Sequence, residues 1–125
     1  MVSKVKRRLR GLRGDRGHRI KFFFVILTEP PELTPMSFGK EIVDEGHFGQ
    51  LFCSVVKGDA PFSITWSLQG DMINTEPGLT TNQIGDRTSM LTINSIGHRH
   101  SGQYTCTVQN KAGQASESAE LKVNG

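Results

Sequence analysis

Apolar and polar residues alternate through most of residues 29–125, and this two-residue period is typical of strands that bury one face of a sheet. The clearest example runs from Gly102 to Asn110, where Tyr104, Cys106 and Val108 share one face. Four other segments alternate in the same way, with these residues facing inward: Leu51, Cys53 and Val55; Ile64, Trp66 and Leu68; Leu91 and Ile93; Ala119, Leu121 and Val123. No segment shows a helical period. The pattern therefore predicts an all-β fold in which two sheets pack as a sandwich.

Weaker signals predict the strands at the edges of this sandwich. Three prolines make residues 29–35 a linker with an edge strand, because proline cannot donate to a ladder. A second short edge strand is expected at residues 39–43, a brief strand at Met72 and Ile73, and a weak strand at residues 79–84. Glu117 shares the inward parity of Ala119 and Leu121, so a bulge or bend is expected there.

Charge is distributed unevenly along the chain. Residues 1–21 contain nine Lys and Arg and one acid, whereas residues 22–125 contain six Lys and Arg and eleven acids. The net charges are therefore +8 and −5. We expect residues 1–28 to be a disordered basic head and residues 29–125 to form one domain. The acidic balance of the domain argues against nucleic-acid binding by it.

Three interpretations of the basic head stay open. A secretory signal would need a longer apolar region than Phe22–Leu27 and a small-residue cleavage site after it. A basic tail that contacts nucleic acid or a membrane surface is the second. The third is translated non-coding sequence, since a pyrimidine-rich splice tract would encode the three consecutive Phe. Arg13-Gly14-Asp15 spells an integrin-binding tripeptide, which arises easily by chance in an Arg- and Gly-rich run.

The sequence shows no set of residues typical of an enzyme. It has no nucleophile elbow, phosphate-binding Gly loop or Cys-x-x-Cys pair, so we expect neither catalysis nor a cofactor. His98 and His100 form a His-x-His pair, and His47 on a different turn would have to supply a third ligand; we expect exposed loop histidines rather than a metal site. The sequence contains no Asn-x-Ser/Thr sequon and no apolar run of membrane-spanning length.

Outward residues on the predicted strands are the best candidates for contacting another protein. Two neighbouring strands direct these side chains outward: Gln50, Phe52 and Ser54 on one, and Met90, Thr92 and Asn94 on the other. We single out Phe52, Ser54, Met90 and Thr92 as candidate protein-binding residues, because the patch is partly apolar and uncharged. The alternative, that these are ordinary scattered surface hydrophobes, stays open.

Four residues at two spacings carry a resemblance to a known family. Trp66 lies thirteen residues after Cys53, and Tyr104 lies two residues before Cys106, as in immunoglobulin domains. More specific segments are Ser37–Gly39, Lys57–Trp66, Ser89–Ile93, His100–Cys106 and Ala119–Gly125. Residues 30–125 resemble an I-set immunoglobulin domain, and more narrowly a variable domain of the arthropod Down syndrome cell adhesion molecule (Dscam) family.

The resemblance implies structural roles for these residues. Cys53 and Cys106 would form a disulfide between the sheets, with Trp66 and Leu91 in the core around it. Tyr104 would place its hydroxyl on upstream backbone, the arrangement called a tyrosine corner. His100 takes the position where most such domains have an Asp that pairs with an Arg at the start of the strand predicted at residues 79–84. That Arg is absent here.

The resemblance also implies a function. Dscam family members pair with identical domains on opposing neuronal membranes in self-avoidance and axon guidance, so the expected partner is an identical domain at the cell surface. The chain would then be one module of a longer receptor. Two alternatives stay open: a domain of an intracellular muscle scaffold, in which the thiols stay reduced, and a heterophilic extracellular receptor domain.

Overall fold

The computed structural model describes residues 28–73 and 77–124, which form nine strands. In chain order the strands are β1 Glu32–Leu33, β2 Ile42–Asp44, β3 Gly49–Lys57, β4 Ser63–Leu68, β5 Asp71–Met72, β6 Leu79–Ile84, β7 Thr88–Ile93, β8 Gly102–Asn110 and β9 Gly113–Asn124. They build a four-stranded sheet of order β1-β3-β7-β6 and a five-stranded sheet of order β2-β9-β8-β4-β5. The predicted all-β sandwich is confirmed. The basic head, apart from Thr28, lies outside the described residues.

The edge strands β1 and β2 are shorter than the sequence predicted, β5 is shifted by one residue, and β6 has the predicted bounds. Prolines on both sides limit β1 to two residues, which pair with the end of β3. The turn around Gly39, whose φ of +91° suits glycine, delays β2 until Ile42. The brief strand expected at Met72 and Ile73 instead covers Asp71 and Met72. One turn of 3₁₀ helix at His98–His100 connects the sheets ahead of β8.

The core lies between the sheets and contains the inward residues that alternation predicted. The central strands β3, β7 and β8 bury most of it because each has a neighbour on both sides. Its fully buried apolar residues are Leu51, Cys53, Leu91, Ile93, Ile96, Tyr104, Cys106, Val108 and Leu121. Burying a side chain of this size contributes about 1.5–3 kcal/mol, so these positions supply most of the driving force for folding.

The bulge expected at Glu117 is absent. The β8–β9 register continues without a break from Gly102↔Leu121 to Asn110↔Gly113 and places Glu117 directly opposite Cys106. The inward side of β9 is only half-buried at this end, at Ala115 and Glu117. The carboxylate can therefore stay hydrated while the strand remains regular, so an inward charge at this position does not require a bulge.

Candidate protein-interaction site

A disulfide and one polar contact join the two sheets. Cys53 on β3 and Cys106 on β8 are bonded, with their Cα atoms 6.3 Å apart, which confirms the disulfide. Trp66 lies directly opposite Cys106 in the β4–β8 register and is 5% exposed. Its indole Nε1 donates a 2.9 Å hydrogen bond to Ser89 Oγ on β7. Sequence analysis missed Ser89, although its parity with Leu91 and Ile93 places it inward.

Tyr104 and His100 fix the crossing between the sheets. The Tyr104 hydroxyl donates to the His100 carbonyl oxygen, four residues upstream, and the tyrosine ring packs edge-on against Phe38 with centroids 5.5 Å apart. Tyr104 thus has both the buried ring and the backbone contact expected of a tyrosine corner. The same 3₁₀ turn that supplies this carbonyl also buries the His100 ring.

The expectation of exposed histidines is wrong for His100, which is 1% exposed. Its Nδ1 accepts a hydrogen bond from the Gly97 amide at 2.9 Å, and its Nε2 lies 2.9 Å from the Pro77 carbonyl oxygen. Since Nδ1 must accept and a carbonyl can only accept, the ring is the tautomer protonated at Nε2. His100 therefore anchors the start of β6 through its hydrogen bond to the Pro77 carbonyl oxygen. The sequence has no Asp–Arg pair at this position.

Asn110 ties three loops together where the chain enters the domain. Its Nδ2 donates to the carbonyl oxygens of Glu29 and Asp59, at 2.7 and 3.0 Å. Its Oδ1 accepts from the amides of Ala112 and Gly113, which closes the β8–β9 hairpin. All four hydrogen-bond partners of this side chain are backbone groups. The entry point at Glu29 is consequently held against both neighbouring loops.

The outer face of the four-stranded sheet is partly apolar and carries no charge along β3, β6 and β7. Phe52 on β3 is directly opposite Met90 on β7, and Met90 is opposite Asn82 on β6. Phe52, Val56 and Ile84 are about half exposed, at 47%, 54% and 49%. The outward residues of the three strands are Gln50, Phe52, Ser54, Val56, Thr80, Asn82, Ile84, Thr88, Met90 and Thr92. None of them is ionisable.

Two of the four candidate binding residues lie side by side on this face, and the other two contribute less to it. Ser54 is half-buried, with its hydroxyl 3.4 Å from that of Thr88. Thr92 is only 9% exposed, because it lies on a central strand between Gln50 and Thr80. Val56 and Ile84 were missed, although their parity predicts outward side chains. Met90 also accepts a 3.1 Å hydrogen bond at sulfur from Gln50 Nε2.

The opposite face of the sandwich has a different chemistry. Along the register shared by β4, β8 and β9, the outward residues are Ser63, Thr65, Ser67, Thr105, Thr107, Gln109, Gln114, Ser116 and Ser118. Their hydroxyls bond to one another, as in Thr105–Ser118 at 2.8 Å and Thr107–Ser116 at 3.0 Å. Along β4, β8 and β9 this surface offers no aromatic or apolar anchor, the residue types that supply most binding energy at interfaces. The exposed side chains of Met72 and Ile42 lie at its two edges, opposite Ser67 and Lys122.

The described part of the chain shows no group of three or more His, Cys, Asp or Glu side chains able to hold a metal ion. Within residues 28–73 and 77–124, no helix has the length and hydropathy needed to cross a bilayer.

Comparison with known proteins decides the family. A family model described as the immunoglobulin I-set domain matches residues 36–123. The chain belongs to the immunoglobulin I-set family. This I-set domain is 42% identical over 96 residues to the cell adhesion molecule Dscam1 of Drosophila melanogaster, a match that covers 76% of the chain and 5% of that protein. The chain thus spans about one-twentieth of the length of this relative.

Solved structures that resemble this domain include domains of the same relatives. The crystal structure of the Dscam1 Ig7 domain, isoform 9, matches with a TM-score of 0.73 and 42% identity over 76% of the chain and all of that domain. A titin I-band fragment, I67–I69, matches with a TM-score of 0.69 and 30% identity over 78% of the chain and 33% of that fragment. The resemblance to Dscam immunoglobulin domains is confirmed, and the fold is shared with titin.

Proposed function

We propose that this I-set domain is a recognition module of a cell-surface adhesion receptor, and that the outer face of the four-stranded sheet is its contact surface. The observation that carries the proposal is the contrast between the two outer faces. One face presents Phe52, Val56, Ile84 and Met90 without a charge along β3, β6 and β7, and the other presents, along β4, β8 and β9, hydroxyl groups of which two pairs already bond to each other. Contiguous exposed apolar surface is typical of interaction sites.

An identical domain is the partner that this face suits best. Because none of its outward residues is ionisable, two copies can approach without like-charge repulsion or the desolvation of unpaired ions. Phe52 and Met90 supply the large side chains that anchor interfaces. The similarity to proteins named cell adhesion molecules supports the same conclusion.

The disulfide supports an extracellular location. Such bonds persist in oxidising compartments and are rare in the cytosol, where an intracellular scaffold would keep both thiols reduced. With few anchoring side chains on one sheet, each contact is weak, and many modules in a row would supply avidity. Axon guidance and self-avoidance of the Dscam type are the processes that a homophilic module would serve.

The Phe52→Asp variant tests this surface. Phe52 is half exposed, so we expect the variant to fold, but self-association should weaken at least about tenfold because an unpaired carboxylate would be buried in the contact. Sedimentation equilibrium measures the dissociation constant. Thr65→Asp on the hydroxyl-rich face is the matched control and should leave it unchanged. Equal dissociation constants for wild type and Phe52→Asp would show that this face is not the contact surface.

A further inference from the structure

Strand β6 is an edge strand without the features that usually protect an edge. Among the described residues it is the last strand of the four-stranded sheet, paired with β7 along all six residues without a bulge. Its sequence is Leu-Thr-Thr-Asn-Gln-Ile, and residues 80–84 are exposed. It therefore presents a row of backbone groups, together with β-branched and amide side chains, to anything that can pair with it.

The other three described strands that end a sheet, β1, β2 and β5, are protected. Prolines or charges lie on or beside each of these strands. They are Pro30, Pro31, Glu32 and Pro35 at β1, Lys40, Glu41 and Asp44 at β2, and Asp71 at β5. The part of β9 that β2 does not cover carries Glu117 and Glu120. Prolines, charges and short length are the usual means of preventing edge pairing. Among the four described strands that end a sheet, β1, β2, β5 and β6, only β6 combines six residues with no charge, no proline and no glycine.

We infer that β6 pairs in antiparallel orientation with β6 of a second copy of this chain, which joins two four-stranded sheets edge to edge. A second copy is favoured over an unrelated strand because the absence of charge on β6 suits self-pairing, whereas it offers a foreign strand no charge complementarity. The contact goes beyond the proposed function, because it uses backbone groups at the edge and leaves the Phe52 face free.

The alternation of β6 restricts the register. Directly opposed residues of an antiparallel pair lie on the same face, so the residue on a two-fold axis normal to the sheet must oppose itself. An axis at Asn82 pairs Thr80 with Ile84 on the outer face and Thr81 with Gln83 on the inner side. An asparagine carries both a donor and an acceptor, so two copies of Asn82 can bond reciprocally across the axis.

Amide hydrogen exchange of the full chain at increasing concentration tests the pairing directly. The amides of β6 that do not bond to β7 should exchange rapidly in dilute solution and become protected as copies associate. A purely face-to-face dimer would leave these amides unprotected, and that result would overturn the inference without affecting the Phe52 surface. Conversely, protection that persists in Phe52→Asp would support edge pairing and show that it does not depend on the Phe52 face.

Charge variants at Asn82 test the register, and they are made in the Phe52→Asp background so that the outer-face contact does not contribute. Asn82→Lys and Asn82→Glu alone should each raise the dissociation constant of this parent roughly fivefold, because like charges would oppose each other on the axis. An equimolar mixture of the two should recover or exceed the association of the parent through Lys–Glu pairing. Thr65→Lys and Thr65→Glu on the opposite sheet are the controls and should have no effect. Weakening in both single variants without recovery in the mixture would overturn self-pairing at Asn82.

Discussion

Trp66 and Ser89 illustrate how a single polar contact can specify the packing of the two sheets. The indole provides a large apolar surface, but its Nε1 proton needs an acceptor once it is buried. Ser89 Oγ is that acceptor, on the facing sheet and itself only 6% exposed. The pair therefore fixes the position of β7 relative to β4, which a purely apolar contact would leave free to slide.

We expect Ser89→Ala to lower the free energy of unfolding by about 1–3 kcal/mol, because it leaves a buried donor unpaired. In a Trp66→Phe background, which has no such donor, the same change should cost much less. Chemical denaturation of the four proteins measures this as a double-mutant cycle. A Ser89→Ala cost that is identical in both backgrounds would mean that the indole proton does not depend on this serine.

His100 marks the limit of prediction from sequence at this scale. The His-x-His pair lies on a predicted loop with no third metal ligand nearby, and this suggested an exposed ring. The structure buries the ring because Gly97 N–H and Pro77 C=O provide one donor and one acceptor at opposite ring nitrogens. Backbone partners have no residue-type signature, so alternation and motif spacing could not have shown them.

At the scale of elements, the sequence predicted strands with a buried face far better than strands at an edge. Alternation identified β3, β4, β7, β8 and β9 because burial on one side imposes a strict two-residue period. β1, β2 and β5 are two or three residues long, too short to show a period. The sequence predicted β6 at residues 79–84. It could not show that β6 is an unprotected edge, because that depends on the order of the strands in the sheet.

Asn110 acts at the same scale, because one side chain holds three loops. Asn110→Ala should lower the free energy of unfolding by about 1–3 kcal/mol, since four hydrogen bonds to backbone are lost in a partly solvated site. The amides of Ala112 and Gly113 should also exchange faster. Asn94→Ala, at an exposed asparagine, is the control. Unchanged exchange at Ala112 and Gly113 would contradict the role assigned to Asn110.

At the scale of the whole molecule, the sandwich separates two surface chemistries. Both sheets contribute inward residues to one core, but their outer faces differ: the face is uncharged and partly apolar along β3, β6 and β7, and hydroxyl-rich along β4, β8 and β9. Parity alone predicted Phe52 and Met90 as outward neighbours. The near burial of Thr92 and the addition of Val56 and Ile84 depend on which strands are central and which lie at the edge. The sequence therefore predicts some of the residues on each outer face, but it does not predict how far each face extends.

The disulfide joins the two sheets, and its loss should affect the stability of the entire domain. Closing a loop with a sequence separation of 53 stabilises the folded state by about 4 kcal/mol in the chain-entropy model. For a domain of this size that corresponds to a fall in melting temperature of roughly 15–30 °C. Cys53→Ala and Cys106→Ala remove the same cross-link, so we expect both to be destabilised to a similar extent, as measured by thermal melts.

The same measurement bears on the compartment in which the protein works. A domain that loses this much stability on reduction suits an oxidising exterior, whereas a muscle-type scaffold would have to be stable with both thiols reduced. Melting the wild-type chain with and without a thiol reductant, alongside the double alanine variant, separates the two. If the reduced wild-type chain melts close to the oxidised one, the cross-link contributes little, and the extracellular assignment loses its main physical support.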